Sequence, residues 1–168
     1  MKTVFVFSGQ GAQFVGMGKD IFENFHSARA IFESADKALG WSVSGLCFDG
    51  PEEKLTQSRF CQPSIFTMSC ACLEAFKSAH PQVKPASTAG LSLGEFAALY
   101  CAEIFSFENG VKLVAKRGEL MDDACLENKG AMASILGGDP GLIGEVCAEY
   151  GIDVANLNCP GQIVVSGE

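Results

Sequence analysis

Three observations predict an α/β fold for this chain. Residues 3–7 form a short β-rich run that ends in the glycine cluster Gly9-Gln10-Gly11 and is followed by a helical pattern. Residues 87–91 repeat that layout, a small apolar run leading through Gly90-Leu91-Ser92-Leu93-Gly94 into a helix-like stretch. After Gly130 the texture changes to β-α-β-β, which resembles the first half or more of a ferredoxin-like unit. At 168 residues, 48% hydrophobic and 19% charged, the chain is long enough to bury a real core.

The elements follow in order. After the first strand and its glycine loop, the apolar spacing predicts a helix over residues 17–25 and a second over 28–39, stopped by Gly40. Residues 41–59 read as short helices and turns around Asp49-Gly50-Pro51. Pro63 suits the first turn of a long helix running through Phe76. A loop over 80–85 leads to the second strand, then a helix over 93–103 and another over 107–126. Strands are expected at 131–136, 152–157 and 163–166, with a helix at 141–150 opened by Asp139-Pro140 and a turn at Pro160-Gly161. Only two strands of the larger sheet are identifiable, which leaves apolar faces uncovered and edges unpaired.

Composition excludes several classes of function. A formal charge of −8 disfavours electrostatic capture of phosphate backbones, so no nucleic-acid partner is expected. The apolar run after Met1 is too short for a signal or a spanning segment, and no membrane association is expected. The 8 cysteines lie partly inside apolar periodic runs and read as reduced, mostly buried thiols of a cytoplasmic protein. Cys70 and Cys72, two apart on a helix, point to different faces; with no second pair at ligand spacing, no metal site is expected.

Ser92 carries the strongest chemical signal. A serine between two glycines, with a strand before it and a helix after it, has the layout of a nucleophile elbow, where small neighbours admit a strained backbone. The alternative is a structural turn. If Ser92 is a nucleophile, the next amide, that of Leu93, is a natural oxyanion donor. The loop at Gln10 fails both nucleotide patterns: Gly9-Gln10-Gly11 is followed by Phe14 where glycine is needed, Gly18-Lys19 by Asp20, and Gln13 stands where a phosphate loop needs its first glycine. Loops after neighbouring parallel strands share one edge, so Gln10 either lends a second amide to Ser92 or forms a simple turn.

Arg117 is the least expected residue by position. At about 100° per residue it falls on the apolar face made by Val111, Leu113, Val114, Gly118, Leu120 and Met121. A guanidinium there needs an anion, either a structural carboxylate or the carboxylate of a substrate. His26, between two helices, and His80, in a loop before Pro81, are the only histidines, and neither is well placed to activate Ser92.

Together, Phe7-Ser8-Gly9-Gln10-Gly11-Ala12-Gln13, Gly90-Leu91-Ser92-Leu93-Gly94-Glu95, Arg117-Gly118, Gly130-Ala131-Met132-Ala133 and Asn156-Leu157-Asn158-Cys159-Pro160-Gly161-Gln162 resemble the malonyl-CoA:acyl-carrier-protein transacylase family of fatty acid synthesis, related to polyketide synthase acyltransferase domains. The resemblance implies an α/β-hydrolase-like parallel-sheet subdomain, incomplete, over residues 1–128, and the beginning of an inserted ferredoxin-like α+β subdomain over 129–168. It implies transfer of malonyl from malonyl-CoA to the phosphopantetheine thiol of acyl carrier protein through a malonyl-serine ester, with no further cofactor. Ser92 would carry the acyl group and the amides of Gln10 and Leu93 would form the oxyanion hole. Arg117 would bind the free malonyl carboxylate, with Gln62 of Cys61-Gln62-Pro63 and Met121 beside it.

The sequence departs from the family in two places. Leu91 stands where the family usually has histidine before the serine. In the family the catalytic histidine and its orienting partner lie beyond the insert, whereas this sequence ends inside it, so it resembles the N-terminal part of a longer domain. The rival expectations are an inactive fragment or remnant, and a serine esterase of α/β-hydrolase type, which shares the elbow but gives no reason for Arg117 or the Gln10 loop.

Overall fold

The computed structural model describes residues 2–127 and 129–168, which divide into two compact units, Met1–Asp122 and Asp123–Glu168. The junction expected between 128 and 129 involves Asn128, which lies outside the described residues.

In the first unit, β1 (Val4–Phe7) and β2 (Ser87–Gly90) pair in parallel, with Val4 opposite Ser87 and Phe7 opposite Gly90. The parallel pairing requires a crossover, supplied by α1 (Lys19–Asn24), α2 (His26–Leu39), α3 (Val43–Asp49), α4 (Glu52–Leu55) and α5 (Ser58–Ala79). After β2 come α6 (Leu93–Cys101) and α7 (Phe107–Glu127), whose residues from Asp123 onward belong to the second unit. The helix expected to stop at Gly40 does so, because Gly40 takes φ 73° and returns its N–H to the carbonyl of Asp36.

α5 is the spine of this unit. From Cys61 to Thr67 every residue is buried, as expected of a helix whose surface is apolar or small almost all round. Phe66 stacks on Phe107 of α7 with ring centroids 5.7 Å apart and also meets Tyr100 of α6 edge-on. The helix begins five residues before Pro63, so the proline lies inside it and not in its first turn as the sequence reading has it. Pro63 has no N–H and so donates no helical hydrogen bond inside α5.

The apolar side of α7 is also narrower than its sequence suggests. Phe107, Gly110, Val111, Val114 and Gly118 are buried, whereas Leu113, Leu120 and Met121 are 51%, 55% and 40% exposed. Arg117 is half-buried, at the edge of the packed stripe and not within it.

The second unit holds β3 (Ala131–Leu136), α8 (Pro140–Tyr150), β4 (Asp153–Cys159) and β5 (Gln162–Gly167). Its antiparallel sheet has the order β3-β5-β4. The Asp139 side chain accepts a hydrogen bond from the Leu142 N–H at 2.9 Å, with Pro140 in the first turn, which is the helix start read from Asp139-Pro140. Among its described residues, Cys147 and Ile163 are buried. Of the cysteines, all free, Cys47, Cys61, Cys70, Cys101 and Cys147 are buried, and Cys70 and Cys72 do face different ways. No described helix is long and apolar enough to cross a membrane.

Candidate active site

Backbone close to backbone is what forms the elbow. A methyl group on Gly90 would collide with the carbonyl of Gly94, one on Gly94 with the carbonyl of Phe7, and one on Gly9 would lie 2.8 Å from the carbonyl oxygen of Leu91. These glycines let the end of β1, the end of β2 and the start of α6 share one edge of the sheet. Between them Ser92 takes φ 53° and ψ −108°, a conformation rare for a residue with a Cβ. Leu93 opens α6, so its N–H belongs to the helix-start amides that have no carbonyl four residues back. Gly94 and Glu95 donate to the carbonyls of Leu91 and Ser92, at 2.9 and 3.2 Å.

Arg117 reaches this serine from α7. Its Nη2 donates to Ser92 Oγ at 2.9 Å, its Nη1 donates to Gln62 Oε1 at 2.6 Å, and its guanidinium carbon stands 5.7 Å from the centre of the Phe96 ring. Among the described residues no Asp or Glu lies within ion-pair distance of it. The structural-carboxylate reading therefore finds no partner here.

Gln62 is wholly buried and its amide is committed at both ends. The oxygen accepts from Arg117, while Nε2 donates to Gln10 Oε1 at 3.3 Å and lies 3.0 Å from Met121 Sδ. Gln10 in turn donates from Nε2 to Ser58 Oγ at 3.3 Å. The six residues singled out from the sequence, Gln10, Gln62, Ser92, Leu93, Arg117 and Met121, are thus joined by contacts or by chain adjacency in one cluster of the first unit.

The histidines are elsewhere. His26 opens α2, and His80 caps the far end of α5, packed on Phe76 at 4.9 Å. At ~1.5 Å per residue, His80 lies roughly 27 Å along that helix from Gln62.

One residue of the cluster escapes sequence reasoning. Asp122 Oδ1 accepts from the Ser58 N–H at 3.1 Å, and Oδ2 accepts from both the N–H and the Nε–H of Arg59, each at 3.0 Å. Burial works to raise this carboxyl, but donation from Arg59 and Ser58 outweighs it and holds the group below its ordinary 3.8. No local signal marks it, since its partners are more than sixty positions away in sequence. Next to Gln62, burial pushes the Cys61 thiol up to about 11, so it stays neutral and is no rival nucleophile. Among the described residues no group of three or more His, Cys, Asp or Glu side chains is arranged to hold a metal ion.

The model of the acyl transferase domain family matches residues 4–168. The malonyl CoA-acyl carrier protein transacylase of Bacillus subtilis (strain 168) is 46% identical over 99% of this chain and 53% of its own length. That of Staphylococcus aureus (strain MSSA476) is 43% identical over 99% of this chain and 54% of its own. Among solved structures, the transacylase of Clostridium perfringens superposes with a TM-score of 0.91 at 41% identity, covering 100% of this chain and 54% of that one. A malonyl-transacylase in complex with its type II PKS acyl-carrier protein superposes with a TM-score of 0.92 at 35% identity, covering 100% and 55%. The chain spans about half the length of the curated relatives it matches.

Proposed function

The chain belongs to the acyl transferase domain family, and from that premise we propose that Ser92 accepts malonyl from malonyl-CoA as an ester and passes it to the phosphopantetheine thiol of acyl carrier protein. One observation carries the choice of acid. Among the described residues, the guanidinium that touches Ser92 Oγ has neutral partners, Gln62, Ser92 and the Phe96 ring, so its charge is available to an anion beside the nucleophile.

In this reading Ser92 Oγ attacks the thioester carbonyl carbon, and the amides of Leu93 and Gln10 hold the oxygen that becomes negative. The carbon–sulfur bond breaks and coenzyme A leaves as the thiol, taking up the proton that Ser92 gives up. The carrier thiol then attacks the ester, and Ser92 regains its proton. Arg117 pairs with the distal carboxylate, while Gln62 fixes the guanidinium plane and Met121 borders it. An acetyl group would leave the same cation unpaired, which disfavours it. A serine esterase needs no such cation. The parallel pair β1-β2 with its helical crossover supports reading residues 1–128 as part of an α/β-hydrolase-like subdomain. The β3-β5-β4 order supports reading 129–168 as the start of a ferredoxin-like one.

The positions of His26 and His80 favour a second statement: these residues do not supply the base that takes the Ser92 proton, and the chain alone acylates slowly. Labelled malonyl-CoA tests both. Label at Ser92 is expected to accumulate slowly, with little passage to carrier protein. Arg117→Ala is expected to weaken malonyl-CoA binding and labelling about 30-fold or more while acetyl-CoA changes within about twofold. Equal losses for the two esters would overturn the role of Arg117, and rapid turnover would overturn the statement about the base.

A further inference from the structure

We propose that Asp122 is a positioning residue for this site: it ties the first turn of α5 to α7 and so holds Gln62 against Arg117 and Ser58 against Gln10. The proposal rests on reading Arg117 as the ligand of an acyl carboxylate and adds the device that aims it.

Gln62 and Arg117 are on different helices, and their 2.6 Å hydrogen bond requires those helices to keep a fixed register. The start of α5 has no cap of its own, since Gln57 makes no side-chain capping bond. The N–H groups of Ser58 and Arg59 are instead satisfied by Asp122, from α7. A carboxylate at a helix N-terminus is favoured by the helix dipole as well as by the bonds themselves. The Arg59 side chain closes on the same oxygen that its backbone uses.

Gly118, one turn before Asp122, meets the same dipeptide. A methyl there would strike the Ser58 carbonyl oxygen and come within 2.9 Å of its carbon and 3.0 Å of Arg59 Cα. The two helices therefore touch at Gly118 and are tied at Asp122. Gln62 lies four residues after Ser58, on the same face of α5, and inherits whatever position that first turn takes. Ser58 Oγ, at the tied turn, also accepts from Gln10. Loss of the tie would move Gln62 away from Arg117 and the guanidinium away from Ser92, without removing any group that touches substrate.

The test uses the full chain carrying Asp122→Asn, which keeps the shape but removes the charge and turns an NH2 toward one of the N–H groups. Asp122→Ser, which retains one acceptor, is the milder variant should the first not fold. Glu119→Gln, in the exposed Lys116–Glu119 pair, is the control for charge loss on α7. The nitrogen-bound proton signals of the Gln62 side-chain amide and Arg117 Nε are read by NMR. Affinities for malonyl-CoA and acetyl-CoA are read in parallel.

Expected are displaced Gln62 and Arg117 signals in the Asp122 variants and unmoved ones in the control. Malonyl-CoA binding should weaken about tenfold while acetyl-CoA changes within about twofold. Unmoved signals, or equal weakening of both esters with a lower melting temperature, would reduce Asp122 to a helix cap and overturn the proposal. Should the unaltered chain bind neither ester, the functional reading fails, and the NMR signals still decide whether Asp122 holds the pair.

Discussion

Ser92 is held at φ 53° and ψ −108° by the backbone contacts of Gly9, Gly90 and Gly94. A residue with a Cβ in such a region carries roughly 1–3 kcal/mol of strain. Glycine would adopt the same angles without it, at some entropic cost in the unfolded chain. Ser92→Gly is therefore expected to raise the unfolding free energy by about 1 kcal/mol while abolishing acylation. Ser92→Ala, which keeps the Cβ, should abolish acylation and gain no stability. Urea denaturation of the three proteins checks this, and equal stability of the Gly and Ala variants would mean that no strain is stored. Ser92 and Leu93 were legible because the elbow is a local pattern of five residues. Arg117 was legible because a cation among apolar neighbours is conspicuous, although its true surroundings are half-buried. Asp122 was not legible, because an acidic residue late in a helix looks like ordinary solvated surface until the start of α5, far away in sequence, is brought against it.

Elements were legible in order and less so in detail, and α5 shows why. Pro63 is a sound marker of a first turn when nothing else caps the helix, but a cap borrowed from α7 lets α5 begin earlier and carry its proline inside. Tertiary capping leaves no trace in the local sequence. The helix packing behind it can be tested with two glycines of opposite standing. Gly118 of α7 has the Ser58 backbone where its Cβ would be, and a carbonyl cannot step aside as a flexible side chain would. Gly144 of α8 has nothing within 4 Å of that position. Gly118→Ala is expected to lower stability by about 2 kcal/mol through overpacking. Gly144→Ala is expected to raise it by roughly 0.5–1 kcal/mol through helix propensity. Calorimetric melting of both variants gives the answer. A neutral Gly118→Ala would show that the α5–α7 crossing is looser than its backbone contact implies.

Over the whole molecule, pH acts through groups that the fold has moved in opposite directions. The cysteine count suggested buried thiols, but which ones only the packing shows: Cys47 and Cys70 are enclosed by the helices of the first unit, while Cys72, Cys125 and Cys159 are exposed. Burial pushes Cys47 from 9.0 up to about 12 and Cys61 up to about 11, and it raises Cys70 well above 9.0. A thiol whose folded value is raised contributes stability that is fully present below 9.0 and is lost as pH climbs through the folded value, because the unfolded chain ionises first. Asp122 works at the other end. Its lowered value gives stability that is present above 3.8 and lost as pH falls through the folded value. Unfolding free energy should therefore be flattest between pH 3.8 and 9.0 and decline beyond each limit. Asp122→Asn should flatten the acid decline, and Cys47→Ala the alkaline one. The same burial predicts thiol reactivity. At about pH 8 a colorimetric thiol reagent should react quickly with Cys72, Cys125 and Cys159, and with the buried cysteines only after denaturant is added. Rapid reaction at Cys47 or Cys70 in the folded chain would mean that the helices around α5 open far more readily than their packing allows.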